Sequence, residues 1–127
     1  MVAYSVDMNS RVLAIQHFGQ GWVDRDPEAV MALIAKDNLQ YFETAFGEPT
    51  TDWNAVKKLW DIVPENQKDV TFWFETLMAD GDKILAHVKV TREMVPSGEK
   101  QDIDAAFVFG FDTETRISYF RQWRSVR

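Results

Sequence analysis

The sequence predicts one α+β domain in which helices cover one face of a curved antiparallel sheet. Helical spacing of apolar residues is confined to the first half of the chain, and strand-like runs joined by tight turns fill the second half. The chain has 127 residues, the size of one ordinary domain. A single domain over residues 1–127 is therefore expected.

Three helices are predicted in the first half. The first covers residues 10–23 and carries one apolar stripe made of Val12, Ile15, Phe18 and Trp22. The second begins at Asp26, because Asp caps free N–H groups and the following Pro suits the first helical position. It should end near Asp37. The third begins after Asp52, and Pro64 ends it.

Five strands are predicted, the first over Leu39 to Glu43 and the others over residues 70–79, 83–94, 101–111 and 116–126. Short connections make the last four an antiparallel meander. In the third of these, one alternating set of side chains is Ile103, Ala105, Phe107, Phe109 and Phe111. This set must face the helices, and the opposite set, with Asp102 and Asp104, faces solvent or a partner sheet.

Composition excludes several classes of function. The chain has no cysteine and two histidines without metal-ligand spacing, so no metal and no cofactor are expected. A net charge of −6 disfavours nucleic acid. Neither a membrane span nor a signal-peptide pattern occurs, so a cytoplasmic protein is expected. Five Trp, three Tyr and nine Phe point to an aromatic core or an apolar pocket.

Five short segments, in this order and spacing, resemble the nuclear transport factor 2 superfamily, which includes ketosteroid isomerases and SnoaL-like polyketide cyclases. They are residues 22–29 (WVDRDPEA), 37–43 (DNLQYFE), 46–49 (FGEP), 79–84 (ADGDKI) and 109–112 (FGFD), the last followed by Arg116 and Ile117. The resemblance implies a cystatin-like α+β roll, a cone-shaped sheet open at one end. It also implies a pocket for a small apolar or aromatic molecule, and a homodimer formed through the sheet.

The resemblance also assigns positions, and several depart from the family. The oxyanion-hole tyrosine of ketosteroid isomerases falls at Phe18 and the partner acid at Phe107, and a phenyl ring donates no hydrogen bond. The family's base falls at Glu43 or Thr44. The acid that the cyclases carry on the last strand is replaced by Gln122. No ketosteroid isomerase activity is therefore expected.

Two residues are candidates for catalysis. Glu43 follows a hydrophobic strand, and the fold would aim it at the pocket mouth, where an acid beside aromatic walls can act as a general base. His87 is a possible acid or polarising group. Strand alternation would point His87 toward solvent or the dimer face, whereas alignment on the Asp80-Gly81 turn would point it into the pocket. The sequence leaves both alternatives open.

The candidate ligand-binding residues are mainly aromatic. They are Phe18, Trp22, Tyr41, Trp60, Phe107, Phe109 and Phe120, with Gln122 and Arg124 on the pocket side of the last strand, and Trp73 is a further candidate for the wall. Arg124 could hold an acidic ligand. Two hypotheses follow: an isomerase, cyclase, dehydratase or hydrolase that uses acid/base chemistry without a cofactor, or a non-catalytic ligand-binding or dimerising module.

Overall fold

The computed structural model describes residues 6–127 and contains four helices and a five-stranded sheet. The helices are α1 (Val6–Val23), α2 (Pro27–Met31), α3 (Trp53–Asp61) and α4 (Val63–Asn66). Both predicted caps are present. The Asp26 carboxylate accepts the Ala29 backbone N–H at 3.1 Å, and Asp52 accepts that of Asn54 at 3.1 Å.

Three of the predicted helix boundaries were wrong. Helix α1 begins at Val6 rather than at Ser10. Helix α2 ends at Met31 rather than near Asp37, because the chain there pairs with the last strand: the Ile117 N–H donates to the Leu33 carbonyl at 2.7 Å. Backbone groups that form hydrogen bonds in that pairing cannot also form helical hydrogen bonds, so the helix does not continue there.

Pro64 lies near the start of a helix instead of ending one. Helix α3 already ends at Asp61, and Pro64 lies in the first turn of α4. The first turn is where a proline belongs in a helix, because its missing N–H would have no partner there in any case.

The strands form one sheet in the order β1-β5-β4-β3-β2. They are β1 (Gln40–Tyr41), β2 (Gln67–Asp80), β3 (Lys83–Met94), β4 (Lys100–Phe111) and β5 (Ile117–Val126). The predicted antiparallel meander is confirmed for β2 to β5, and β1 pairs with β5 in parallel. Strand β1 is shorter than the predicted Leu39–Glu43, and β2 begins at Gln67 rather than at Val70.

The predicted alternation along β4 is confirmed. Ile103, Phe107, Phe109 and Phe111 are each at most 2% exposed, while Asp104 on the opposite parity is exposed. The buried set faces α1, so the curved sheet has a concave side that holds the core and an outer side that bears charge. This is the cone-shaped α+β arrangement that the sequence predicted.

Helix α1 lies unusually close to β2 at one point. A Cβ atom added to Gly19 would lie 2.2 Å from Cδ1 of Phe72, so only glycine fits there without a shift of the ring. The close approach places the adjoining part of α1, with Phe18 and Trp22, directly over the concave side of the sheet.

Candidate functional site

A cavity of about 100 Å³ opens to solvent between the concave side of the sheet and helices α1, α3 and α4. Its lining comes from seven elements and the bend after β1. The lining residues are Phe18, Trp22, Tyr41, Glu43, Leu59, Trp60, Val63, Gln67, Phe107, Phe120, Gln122 and Arg124. The cavity is hereafter called the cone cavity.

Aromatic rings pack closely on the concave side of the sheet beside this small space. The Phe18 ring lies 5.4 Å from Trp60 and 5.4 Å from Phe109, both edge-on, and 5.8 Å from Phe120. Such packing is typical of rings that interact through edge and face. Pockets for drug-sized ligands begin at roughly 300 Å³. The cone cavity therefore has room for one small ring rather than for a steroid in its present shape.

A hydrogen bond fixes the orientation of Gln67 at the cavity wall. Trp22 Nε1 donates to Gln67 Oε1 at 2.9 Å, and the Gln67 side chain is buried. An indole N–H only donates, so the amide oxygen must face Trp22 and the amide nitrogen must face away from it. That nitrogen makes no hydrogen bond to any residue of the range 6–127.

A second indole fixes Tyr41 in the same way. Trp60 Nε1 donates to Tyr41 Oη at 3.2 Å, and the Tyr41 ring stacks on Phe120 at 4.7 Å. Burial, with a smaller contribution from the Glu43 carboxylate, raises the pKa of Tyr41 well above its ordinary value. Tyr41 is therefore a neutral hydroxyl that accepts one hydrogen bond and retains its own proton for another.

Glu43 lies at the cavity mouth, in the bend that follows β1. Its backbone carbonyl accepts a 2.6 Å hydrogen bond from Gln122 Nε2, which ties the bend to β5. The Glu43 side chain is exposed, and its carboxylate makes no hydrogen bond or ion pair with the described residues. The carboxylate is thus free to meet solvent or a molecule that enters the cavity.

Arg124 adds positive charge at the same mouth. Arg124 lines the cavity without an ion pair to any residue in the described part of the chain. Burial, followed by the Arg124 guanidinium, lowers the pKa of Arg92, which holds Gln101 Oε1 through its Nε at 2.9 Å. The mouth therefore combines one free carboxylate with one free guanidinium.

The structure brings together nearly all the predicted ligand-binding residues. Two predicted wall residues lie elsewhere. Phe109 is fully buried beneath Phe18 and Phe120 and does not reach the cavity. Trp73 is 48% exposed on the outer side of the sheet, because its parity along β2 points away from the helices.

His87 also lies on the outer side of the sheet, so the pocket orientation weighed for it was wrong. Its Nε2 is 2.6 Å from Asp104 Oδ1, and its Nδ1 is 3.3 Å from Glu75 Oε1. The ring meets Trp73 edge-on at 5.4 Å. The structure shows the orientation that strand alternation predicted. The pairing of β3 with β4 contains no bulge that would turn the His87 side chain to the other side of the sheet.

Three lining residues were missed by the sequence analysis. Leu59 and Val63 belong to the apolar face of α3 and the first turn of α4, and Gln67 begins β2. Because the indole N–H of a buried tryptophan usually has a hydrogen-bond acceptor, Trp22 indicated that a polar side chain lies beside it. Nothing in the sequence indicated that the partner lies 45 positions away.

Among residues 6–127, no group of three or more histidine or acidic side chains is arranged to hold a metal ion. No helix within the described residues is long and apolar enough to cross a membrane. The larger depression, of about 760 Å³, lies on the outer side of the sheet beside His87, Asp104 and Trp123, and is open and rimmed by charge.

The fold agrees with the comparison by family. The model of the SnoaL-like domain matches residues 15–120, which is most of the chain. The chain therefore belongs to the SnoaL-like family, as its sequence resemblance implied. No curated protein matches it by sequence.

Solved structures with the same fold have low sequence identity. SalBIII, an epoxide hydrolase/cyclase-like enzyme of pyran ring formation in salinomycin, is 15% identical with a TM-score of 0.76 over 92% of each chain. A Mycobacterium tuberculosis LEH-like epoxide hydrolase is 19% identical, with a TM-score of 0.72 over 92% of this chain and 84% of its own.

A third similar structure holds a ligand. RV0760c from Mycobacterium tuberculosis, in complex with estradiol-17beta-hemisuccinate, is 18% identical, with a TM-score of 0.75 over 90% of this chain and 92% of its own. At such identities the likeness shows the fold, and one fold of this kind hosts different functions.

The His87 contacts predict a pH-dependent contribution to stability. Hydrogen bonds to Asp104 and then to Glu75 raise the pKa of His87 above its ordinary value. Both carboxylates only accept hydrogen bonds, so both bonds form together only with the imidazolium. Lys89 is a cation on the same strand face. A group whose pKa is raised by folding stabilises the folded state fully at pH values below its pKa in the unfolded chain. That stabilisation is lost as the pH rises through its pKa in the folded state.

We expect His87→Gln to lower the thermal unfolding midpoint more at about pH 5.5 than at about pH 9, measured by circular dichroism. His17→Gln is the matched control, because His17 is exposed on α1 and has no acidic partner within residues 6–127. An equal loss for His87→Gln at both pH values would contradict the assignment.

Proposed function

We propose that the protein binds a small apolar or aromatic molecule in the cone cavity. The observation that carries the proposal is a cavity walled by aromatic rings with a few oriented polar groups and an open mouth. Its volume of about 100 Å³ is smaller than the roughly 150 Å³ of an engineered cavity that holds benzene, so it suits a single small ring that extends into the open mouth. The relatives that act on epoxides or hold a steroid derivative support a ligand-binding use of this fold.

Toluene is a suitable probe for the binding proposal. Leu59→Phe adds volume at the cavity wall and should abolish toluene binding, because the space is already small. Shift perturbations of the Trp22 and Trp60 indole N–H signals in an NMR titration provide the measurement.

Leu77→Phe is the matched control for that titration, since Leu77 lies beside the outer depression. It should leave toluene binding unchanged. The opposite pattern, loss in Leu77→Phe and retention in Leu59→Phe, would place binding on the outer side of the sheet and contradict the proposal.

We further propose that Glu43 is a general base for a reaction of the isomerase, cyclase, dehydratase or hydrolase type that needs no cofactor. Its free carboxylate at the mouth and the neutral Tyr41 hydroxyl inside supply an acceptor and a donor on one cavity. In a hydrolysis, Glu43 takes a proton from water, the water oxygen attacks an epoxide carbon, and the C–O bond breaks. The resulting alkoxide takes a proton from solvent, and Glu43 releases its proton to solvent, which restores the carboxylate.

Cyclohexene oxide tests this role, with diol formation followed by gas chromatography. Glu43→Gln should lower the rate by about 10²- to 10⁴-fold, the usual contribution of a general base. Glu48→Gln makes the same charge change in the same loop, away from the cavity, and should keep the wild-type rate. A wild-type rate in Glu43→Gln would rule out the base role.

The alternative is a non-catalytic module that binds a ligand or dimerises. Two observations favour it: Phe18 and Phe107 present phenyl rings to the cavity, and His87 lies on the opposite side of the sheet. Binding of toluene without turnover of cyclohexene oxide by the wild-type protein would support this alternative over the enzyme.

We propose that a second copy of the chain covers the outer side of the sheet. Trp73, Leu77 and Trp123 are exposed there, beside acids on β2 and β4 and bases on β3 and β5. Interleaved charges of both signs suit a self-complementary contact. Light scattering should give twice the 14.7 kDa chain mass, and Trp123→Glu should halve it. A wild-type monomer would contradict the dimer.

A further inference from the structure

The hydroxyl group of Tyr41 can still donate one hydrogen bond. Trp60 Nε1 can only donate, so the bond between them consumes a lone pair of Tyr41 Oη and leaves the O–H bond unused. Tyr41 is 5% exposed, and its hydroxyl makes no other hydrogen bond to the residues described. A buried donor without an acceptor costs free energy, which is the usual sign of a missing partner.

The position of Tyr41 is held on both sides. Its ring stacks on Phe120 at an interplanar angle of 21°, and its backbone bridges Thr50 and β5. Trp60, the residue that orients the hydroxyl, is itself held edge-on by Trp22 at 5.5 Å. The donor is therefore preorganised before a ligand arrives.

We infer that Tyr41 donates its hydroxyl hydrogen bond to an uncharged oxygen of the ligand in the cone cavity, with Trp60 as the residue that positions the hydroxyl. The ligand class follows from this pattern. It is a compact apolar ring that carries a carbonyl, ether or epoxide oxygen. The inference rests on the proposed binding function and specifies the polar group that the cavity selects.

An uncharged oxygen fits this position better than an anion does. Every cavity-lining residue near Tyr41 is aromatic or neutral except Glu43 and Arg124, and both of these stand at the mouth. A carboxylate deep beside Tyr41 would lie among aromatic rings, and Arg124, the cation in the cavity lining, stands at the mouth, so burying that charge is costly. A neutral acceptor needs only the one hydrogen bond that Tyr41 offers.

A pair of nearly isosteric probes isolates this hydrogen bond. Cyclohexanone carries an acceptor oxygen where methylenecyclohexane carries a CH₂ group. The wild-type protein should bind cyclohexanone more tightly by about 3- to 10-fold, the range expected for one net hydrogen bond. Dissociation constants come from NMR titrations that follow the Trp22 and Trp60 indole N–H signals.

Tyr41→Phe should remove the preference and leave methylenecyclohexane affinity within about 2-fold of wild type, because the ring and its stacking remain. Tyr119→Phe is the matched control. Tyr119 also carries an aromatic ring on β5 beside Phe42, but does not line the cavity. It should keep the full preference for cyclohexanone.

The outcomes separate this inference from the function on which it rests. Equal binding of both probes by the wild-type protein, or an equal loss of both in Tyr41→Phe, would overturn the role of Tyr41 while leaving the cavity as a ligand site. Failure of both probes to bind the wild-type protein would overturn the binding function and the inference together.

Discussion

The structure depends on the packing of Phe18 against the concave side of the sheet. One ring on α1 contacts aromatic partners from α1, α3, β2, β4 and β5, namely Trp22, Trp60, Phe72, Phe109 and Phe120. Each such aromatic pair contributes about 0.5–1.5 kcal/mol beyond its buried area. Since Gly19 lets α1 approach closely at this point, the same contact sets how much of the cone stays empty.

That packing explains why the cavity is small and also why its chemistry is well defined. The rings that close the cone leave a space at its mouth, and two of those rings are tryptophans with N–H groups that must find acceptors. They find Gln67 and Tyr41, and in doing so they orient both side chains. The hydrophobic core and the polar pattern of the candidate site are therefore consequences of one set of aromatic contacts.

The two sides of the sheet divide the titratable groups between two roles. Glu43 and Arg124 stand at the mouth of the cone cavity, whereas His87, Glu75 and Asp104 form a charged cluster on the outer side. Successive side chains along a strand point to opposite sides of the sheet, so residues that are adjacent in sequence can lie on different surfaces. His87 and Ala86 are an example, one at the outer cluster and the other in the core.

The sequence by itself determined the α+β class, the four-stranded meander, the capped starts of α2 and α3 and the buried parity of β4. Each of these depends on local spacing or on a turn residue, which are properties of short segments. It also determined most of the aromatic cavity wall, because the family resemblance supplied an order of elements into which those residues fall.

The tertiary structure alone decided the rest. The early end of α2 depends on pairing with β5, the partner of Trp22 lies across the fold in Gln67, and the small size of the cavity results from rings contributed by several elements. The orientation of His87 was settled only when the register of β3 against β4 was known. Contacts between distant segments decide these features, and local sequence patterns carry no record of such contacts.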